Sequence, residues 1–192
     1  MTGVQTCALP ISRAVYVFEK KMGYGHALIS GLARATGEII IMAEPDNSFV
    51  GADVLKLLVY SKEFDVVFGT RTSKALIRRK AKMGDFLRYG NVAVAKLLEY
   101  LYDGPCLTDV GCTMKLIKRE HYIRIKNKLL IGGSHFSPHF MIVCITSGCK
   151  CIEVPLNYRE RVGESKITSD FWKSFKLGMK MIFMIIRDRF KH

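Results

Sequence analysis

Two carboxylates, Glu44 and Asp46, close the stretch GEIIIMAEPDNS, directly after an apolar run at 39–43. Acidic side chains two apart at a strand end can point into one crevice, and hard carboxylate oxygens suit Mg²⁺ or Mn²⁺. Open α/β sheets bind ligands there, beyond the carboxyl ends of their strands. A solvated acidic turn would carry the same residues. A third isolated carboxylate, Asp109, lies in LTDVGCT close to a glycine. His135 and His139 have the spacing of two ligands on one helix face, but Pro138 stands between them and argues against a metal role.

The elements that must position these groups follow from the apolar pattern. The run 39–43, led in by Gly37 and closed by Pro45, reads as a strand buried on both faces. Residues 13–18 (RAVYVF) predict an earlier strand, 27–36 a helix with Gly37 at its C-cap, 52–61 a short helix, and 65–69 (DVVFG) a strand ending in Thr70 and Arg71. That alternation is the order of a parallel α/β sheet. Gly23 and Gly25 flank the start of the first helix, where a glycine turn lets backbone N–H groups approach a phosphate, although a plain loop reads the same way. A basic segment from Lys74 to Arg88 reads as a solvated loop. Helices are predicted over 86–102, 119–126 and 140–146, strands over 114–117 and 151–158, and a polar loop over 159–168.

In the last stretch, Lys173, Lys176, Lys180, Arg187 and Lys191 share one helix face, with Trp172, Phe175, Met179 and Phe183 among the apolar remainder. A wide apolar face, a cationic stripe and a tryptophan suit a helix lying in a bilayer interface. Packing on the protein's own sheet is the alternative.

The bulk numbers are consistent with one filled core: 192 residues, 49% hydrophobic. Lys and Arg number 30 against 17 Asp and Glu, a net charge of +13 that favours nucleic acid, a phospholipid surface or phosphorylated small molecules. The six cysteines include no CxxC pair, and read as reduced thiols of a cytosolic-face protein rather than a zinc site. No apolar stretch is long enough for a transmembrane helix.

Taken in order, GYGHALISGLARATGE (23–38), AEPD (43–46), VVFGTR (66–71), LTDVGCTMKLIKRE (107–120), EVPLNYRERVGESK (153–166) and RDR (187–189) resemble glycosyltransferase family 2, in its dolichyl-phosphate mannose synthase-like branch with the GT-A fold. The resemblance implies a mixed, Rossmann-like sheet flanked by helices. It also implies a metal-dependent inverting transfer of a sugar from a nucleoside-diphosphate donor to a polyprenyl phosphate or another membrane-associated acceptor. Glu44 and Asp46 match the metal motif, with Glu in place of the usual first Asp, and imply Mg²⁺ or Mn²⁺. Asp109 matches the carboxylate near the acceptor: orientation is its role if the acceptor is already an anion, general base if it is a hydroxyl. Arg161, Ser165 and Lys166 match the loop that clamps donor phosphates, with Gly25 assigned to the same task. Arg71, and beyond it Arg88 and Asn91, match the acceptor-phosphate side. Peripheral attachment at the cytoplasmic face of a membrane follows, with no nucleic-acid partner.

The family's first strand, helix and second strand have no counterpart, and MTGVQTCALPIS (1–12) resembles translated sequencing adaptor. The expected division is a non-native leader at 1–12, a partial GT-A domain at 13–168 and an interface helix at 169–192. A chain so shortened is expected to be poorly active, with an exposed sheet edge prone to association. Two other readings stay open. A nucleotidyltransferase of similar topology would share the metal carboxylates without needing the basic tail. A nucleic-acid-binding module would explain the charge but not three carboxylates at strand ends.

Overall fold

The computed structural model describes residues 15–78, 81, 84–162 and 171–190. Its elements are α1 (Tyr24–Arg34), β1 (Ile39–Met42), α2 (Asp53–Tyr60), β2 (Val66–Thr70), α3 (Asp85–Tyr102), β3 (Lys115–Lys118), α4 (Arg119–Ile125), α5 (Phe136–Thr146), β4 (Cys151–Pro155) and α6 (Phe171–Arg189). The four strands form one sheet in the order β1-β3-β2-β4. β2 and β4 are parallel, whereas β3 runs antiparallel to both β1 and β2. The sheet is therefore mixed, as the family resemblance implies: β1, β2 and β4 share one direction, and β3 is inserted antiparallel between β1 and β2. Local periodicity reports that a strand exists, but its direction depends on which neighbours it reaches.

Alternating side chains divide the core between two faces, as the period of two requires. Ile40, Met42, Val66, Phe68 and Ile117 join a large cluster with α1, α3, α5 and α6. Ile41, Val67, Leu116 and Val154 face a smaller one built on Leu57 of α2. β2 is buried at every position. β1 is not: Ile39 is 40% exposed, because among the described residues β1 pairs only with β3 and forms an edge. Its expected burial on both faces is therefore met only in part.

The predicted strand at 13–18 does not form over its described part. Val15, Tyr16 and Phe18 are exposed and unpaired in the sheet, so β-propensity there finds no neighbouring strand. α5 begins earlier than expected, with Pro138 in its first turn, where its missing N–H costs nothing. α6 packs one face into the protein and leaves the other exposed. Met181, Met184 and Ile185 enter the main core, and the Tyr102 hydroxyl of α3 donates to Ile185 O at 2.8 Å. Trp172, Phe183 and Ile186 remain exposed on its other side. Its inner face packs on helices rather than on the sheet. No described helix is long and apolar enough to cross a membrane.

Gly69 shows how tightly β2 is enclosed. A Cβ there would stand 2.3 Å from Leu156 Cδ1 and 2.6 Å from the backbone oxygen of Met114. Gly69→Ala is expected to destabilise the fold by about 1–3 kcal/mol, the usual cost of overpacking a filled core. Urea unfolding checks this, through a lowered midpoint at unchanged slope.

Candidate functional site

Polar groups collect at one rim of the sheet, among them carboxylates and arginines singled out from the sequence. Glu44 and Asp46 follow β1, Arg71 follows β2, Thr113 precedes β3, and Tyr158 and Arg161 follow β4. Antiparallel β3 contributes its leading end where its neighbours contribute their trailing ends. Behind the rim lies a cavity of about 790 Å³, lined by Tyr24, Glu44, Arg71, Asn91, Thr113 and Arg161, with an apolar wall from α3 and α6 that includes Leu87, Val94, Leu177 and Ile182.

Backbone pairing brings Arg161 to the carboxylates. Arg159 N donates to Ser48 O at 2.9 Å and Val162 N to Asp46 O at 2.8 Å, so the segment after β4 runs beside the turn after β1. Asn47 sits at φ 64°, and Ser48 N donates to Asp46 Oδ1 at 2.9 Å, which closes that turn. Arg161 Nη2 then lies 3.4 Å from Glu44 Oε2, and its Nε 3.0 Å from Asp46 Oδ2. The second contact is a charge pairing without hydrogen-bond alignment, since Asp46 Oδ2 is buried and accepts no hydrogen bond. Burial works against the Asp46 charge. The Ser48 N–H, the Glu44 and Ser48 side chains and, last, the Arg161 guanidinium outweigh it, holding the carboxyl below its ordinary range. Thr113 donates to Glu44 Oε1 at 2.6 Å and accepts from the Tyr24 hydroxyl at 2.6 Å, which fixes the other carboxylate.

Two converging carboxylates, one with an orphaned oxygen, fit a hard divalent cation that takes its remaining ligands from phosphate and water. Among the described residues no set of three or more His, Cys, Asp or Glu converges as a protein-only metal cage. His139 Nε2 instead lies 3.1 Å from Lys128 O, and His135 Nδ1 is buried without a partner.

Asp109 is fully buried and saturated. Its Oδ2 accepts from Arg71 N at 3.0 Å and Nε at 2.7 Å, and its Oδ1 from Arg71 Nη2 and Gly111 N, both at 2.9 Å. Burial opposes its charge, but the Arg71 guanidinium and these donors dominate and depress its pKa. A carboxylate so engaged is a weak proton acceptor, and its bonds hold the Arg71 guanidinium in place. The loop carrying it hangs from Glu153 of β4, which accepts from Thr108 N (2.8 Å), Thr108 Oγ1 (2.6 Å) and Asp109 N (3.0 Å). Burial nonetheless raises the Glu153 carboxyl.

Asn91 joins Arg71 at the cavity, but two other expected residues do not. Arg88 leans on Asp85 at 3.4 Å and stacks over the Tyr89 ring at 4.6 Å, one face away along α3. Gly25 is buried where a Cβ would meet Ile131 O at 2.2 Å and Phe136 Cβ at 2.9 Å, so its lack of a side chain serves the packing of α1 on the segment before α5. Ser165 and Lys166 lie outside the described residues. Tyr24, Thr113 and Glu153 were not singled out from the sequence, although each sits inside one of the quoted motifs. Neutral hydroxyls and a lone strand glutamate carry no pattern of their own.

Asp109→Asn removes a buried partner and strands the Arg71 guanidinium, an expected loss of about 3–5 kcal/mol. Because the Asp109 pKa is depressed on folding, the stabilisation is fully present above the ordinary value of 3.8 and is lost as pH falls below it. Denaturant unfolding at pH 7 and pH 3 checks both, with the gap between wild type and variant narrowing in acid.

No family model matches the chain. It is 25% identical over 174 residues to a dolichyl-phosphate hexose transferase of Haloferax volcanii, covering 90% of this chain and 72% of that one. To a dolichyl-phosphate beta-glucosyltransferase of Mus musculus it is 24% identical over 182 residues, covering 90% and 54%. A glucosyl-3-phosphoglycerate synthase from Mycobacterium tuberculosis, solved with Mn²⁺, UDP and phosphoglyceric acid, superposes at a TM-score of 0.60 and 15% identity, over 88% of this chain and 54% of that one. The same enzyme with Mg²⁺ and UDP gives 0.58 at 14% identity, over 88% and 55%. The chain thus spans about half the length of the mouse relative and of these solved structures. The structural likeness establishes the fold, and the sequence likeness extends over nine tenths of the chain. The chain thus has the GT-A fold and is similar in sequence to dolichyl-phosphate sugar transferases.

Proposed function

We propose that the natural protein transfers a sugar, with inversion, from a nucleoside diphosphate to a polyprenyl phosphate or a similar acceptor at the cytoplasmic face of a membrane. The observation that carries this reading is Arg161 within 3.4 Å of Glu44 and 3.0 Å of Asp46, on the rim of a cavity with an apolar far wall. Glu44 and Asp46 would hold Mg²⁺ or Mn²⁺, which when bound supplies positive charge against a departing diphosphate. Arg161 offers guanidinium donors to the same leaving group, and Ser165 and Lys166 are assigned beside it. Arg71 and Asn91 face the acceptor side. Asp109 holds the Arg71 fork rather than accepting a proton, which matches an acceptor already ionised at neutral pH. The wall between α3 and α6 gives the first apolar carbons of a lipid a dry surface. The exposed Trp172, Phe183 and Ile186 of α6 suit the headgroup boundary.

Two measurements test this. Mn²⁺ binding followed by electron paramagnetic resonance, with a nucleoside diphosphate present, should weaken in Glu44→Gln and Asp46→Asn. The expected loss is at least the roughly 10–100-fold that removing even an outer partner of a metal site costs. Labelled nucleoside-diphosphate sugars incubated with polyprenyl phosphate in vesicles should yield label that partitions into organic solvent. Label transferred only to water-soluble products, or Mn²⁺ binding indifferent to both substitutions, would overturn the reading.

A further inference from the structure

At the opposite end of the sheet from the cavity, three thiols gather where α5 turns into β4. Gly148, at φ 73°, reverses the chain, and Cys149 N donates back to Cys144 O at 3.1 Å, the six-residue closure of a glycine-ended helix. That closure places the Cys144 and Cys149 side chains together at the end of the helix, where the two flanking residues of such a turn meet. Cys144 is buried and Cys149 half-buried, so one sulfur faces the core and the other is open to small molecules. Cys151 is directed elsewhere, its thiol donating to Cys149 O at 3.2 Å.

On the sheet side of this turn stands His121 of α4, whose charge favours the Cys149 thiolate. Its Nε2 lies 3.3 Å from Asp65 Oδ1 and 3.3 Å from Glu120 Oε1. Asp65 is held in turn by Lys150 N at 2.8 Å and by Lys118 Nζ at 3.6 Å. The neighbouring Cys144 thiol and then His121 lower the Cys149 pKa to about 6, against burial and the charge of Asp65. Burial keeps Cys144 and Cys151 as thiols, both raised. A low-pKa, accessible sulfur beside a protonated partner thiol is the arrangement that peroxides oxidise selectively.

We propose that Cys149 and Cys144 form a redox-active dithiol, with Cys149 the attacking sulfur, Cys144 the resolving one, and His121 with Asp65 positioning Cys149. A peroxide ROOH is the oxidant. The Cys149 thiolate attacks one peroxide oxygen, the O–O bond breaks, and ROH leaves with a proton while Cys149 becomes a sulfenic acid. The Cys144 sulfur then attacks the Cys149 sulfur, the S–O bond breaks, and water departs with the Cys144 proton. Two electrons pass from the two sulfurs to the peroxide, and the product is a disulfide across the end of α5. The other end of the same helix brings Ser134 and Ser137 to the cavity wall. The dithiol thus sits on the element that joins the two ends of the molecule.

The test uses the full reduced chain, treated with hydrogen peroxide, alkylated with iodoacetamide and digested with trypsin. Peptide 129–150, which contains both cysteines, should appear unalkylated and lighter by two hydrogens, while exposed Cys106 stays alkylated. Cys144→Ser should stop at a sulfenic acid on Cys149 that dimedone traps. In untreated wild type, the rate of Cys149 alkylation should rise with a midpoint near pH 6. In His121→Gln that midpoint should move toward the ordinary thiol value of 9, with alkylation at pH 7 slowed about tenfold or more. The proposal fails if wild-type Cys149 titrates like an ordinary thiol, if peroxide leaves peptide 129–150 fully alkylated, or if Cys149 pairs with Cys151. The wild-type measurements decide this even if a variant does not fold.

Discussion

The reversal of β3 is the constraint on which the site depends. In a wholly parallel sheet, the segment leading into β3 would lie at the far end of the molecule from the residues after β1, β2 and β4. Because β3 runs the other way, Thr113 and the Asp109 loop arrive at the same rim as Glu44, Arg71 and Arg161. The rim is then locked by short backbone bonds: Gly69 N to Met114 O at 2.9 Å on one side, and Val162 N to Asp46 O at 2.8 Å on the other.

The rim holds two ion pairs of different physical character. Arg71–Asp109 is buried, bidentate and further bonded to backbone N–H groups, so the surroundings satisfy both charges and the geometry is stiff. Arg161 with Glu44 and Asp46 is partly exposed, lies at longer contacts and leaves one carboxylate oxygen unsatisfied. Solvent and a diphosphate can compete for the second pair far more easily than for the first. The stiff pair suits a surface that orients an acceptor. The loose one suits a place where a charged leaving group enters and departs.

Much of this was legible locally. The unbroken apolar runs of β1 and β2 mark strands, the heptad-like leucines of α3 mark a helix, and carboxylates just after a strand mark a ligand rim in any open α/β sheet. What misled was equally local. The run at 13–18 has every strand propensity and no strand beside it. Gly25 sits in a turn that looks built for phosphate, but its missing side chain is filled by Ile131 and Phe136. Arg88 carries the right charge on the right helix, but is rotated away from the cavity.

Most of the strands and helices, the carboxylates that end them and the strongly cationic charge can be read from the linear chain, because these properties follow from side-chain period and composition. Tertiary structure decided the direction of β3, the saturation of Asp109, the meeting of Arg161 with Glu44 and Asp46, and the apposition of Cys144 and Cys149 beside His121. Each of these depends on hydrogen bonds between residues brought together by turns and by pairing across the sheet, and such geometry leaves no repeat in the linear chain.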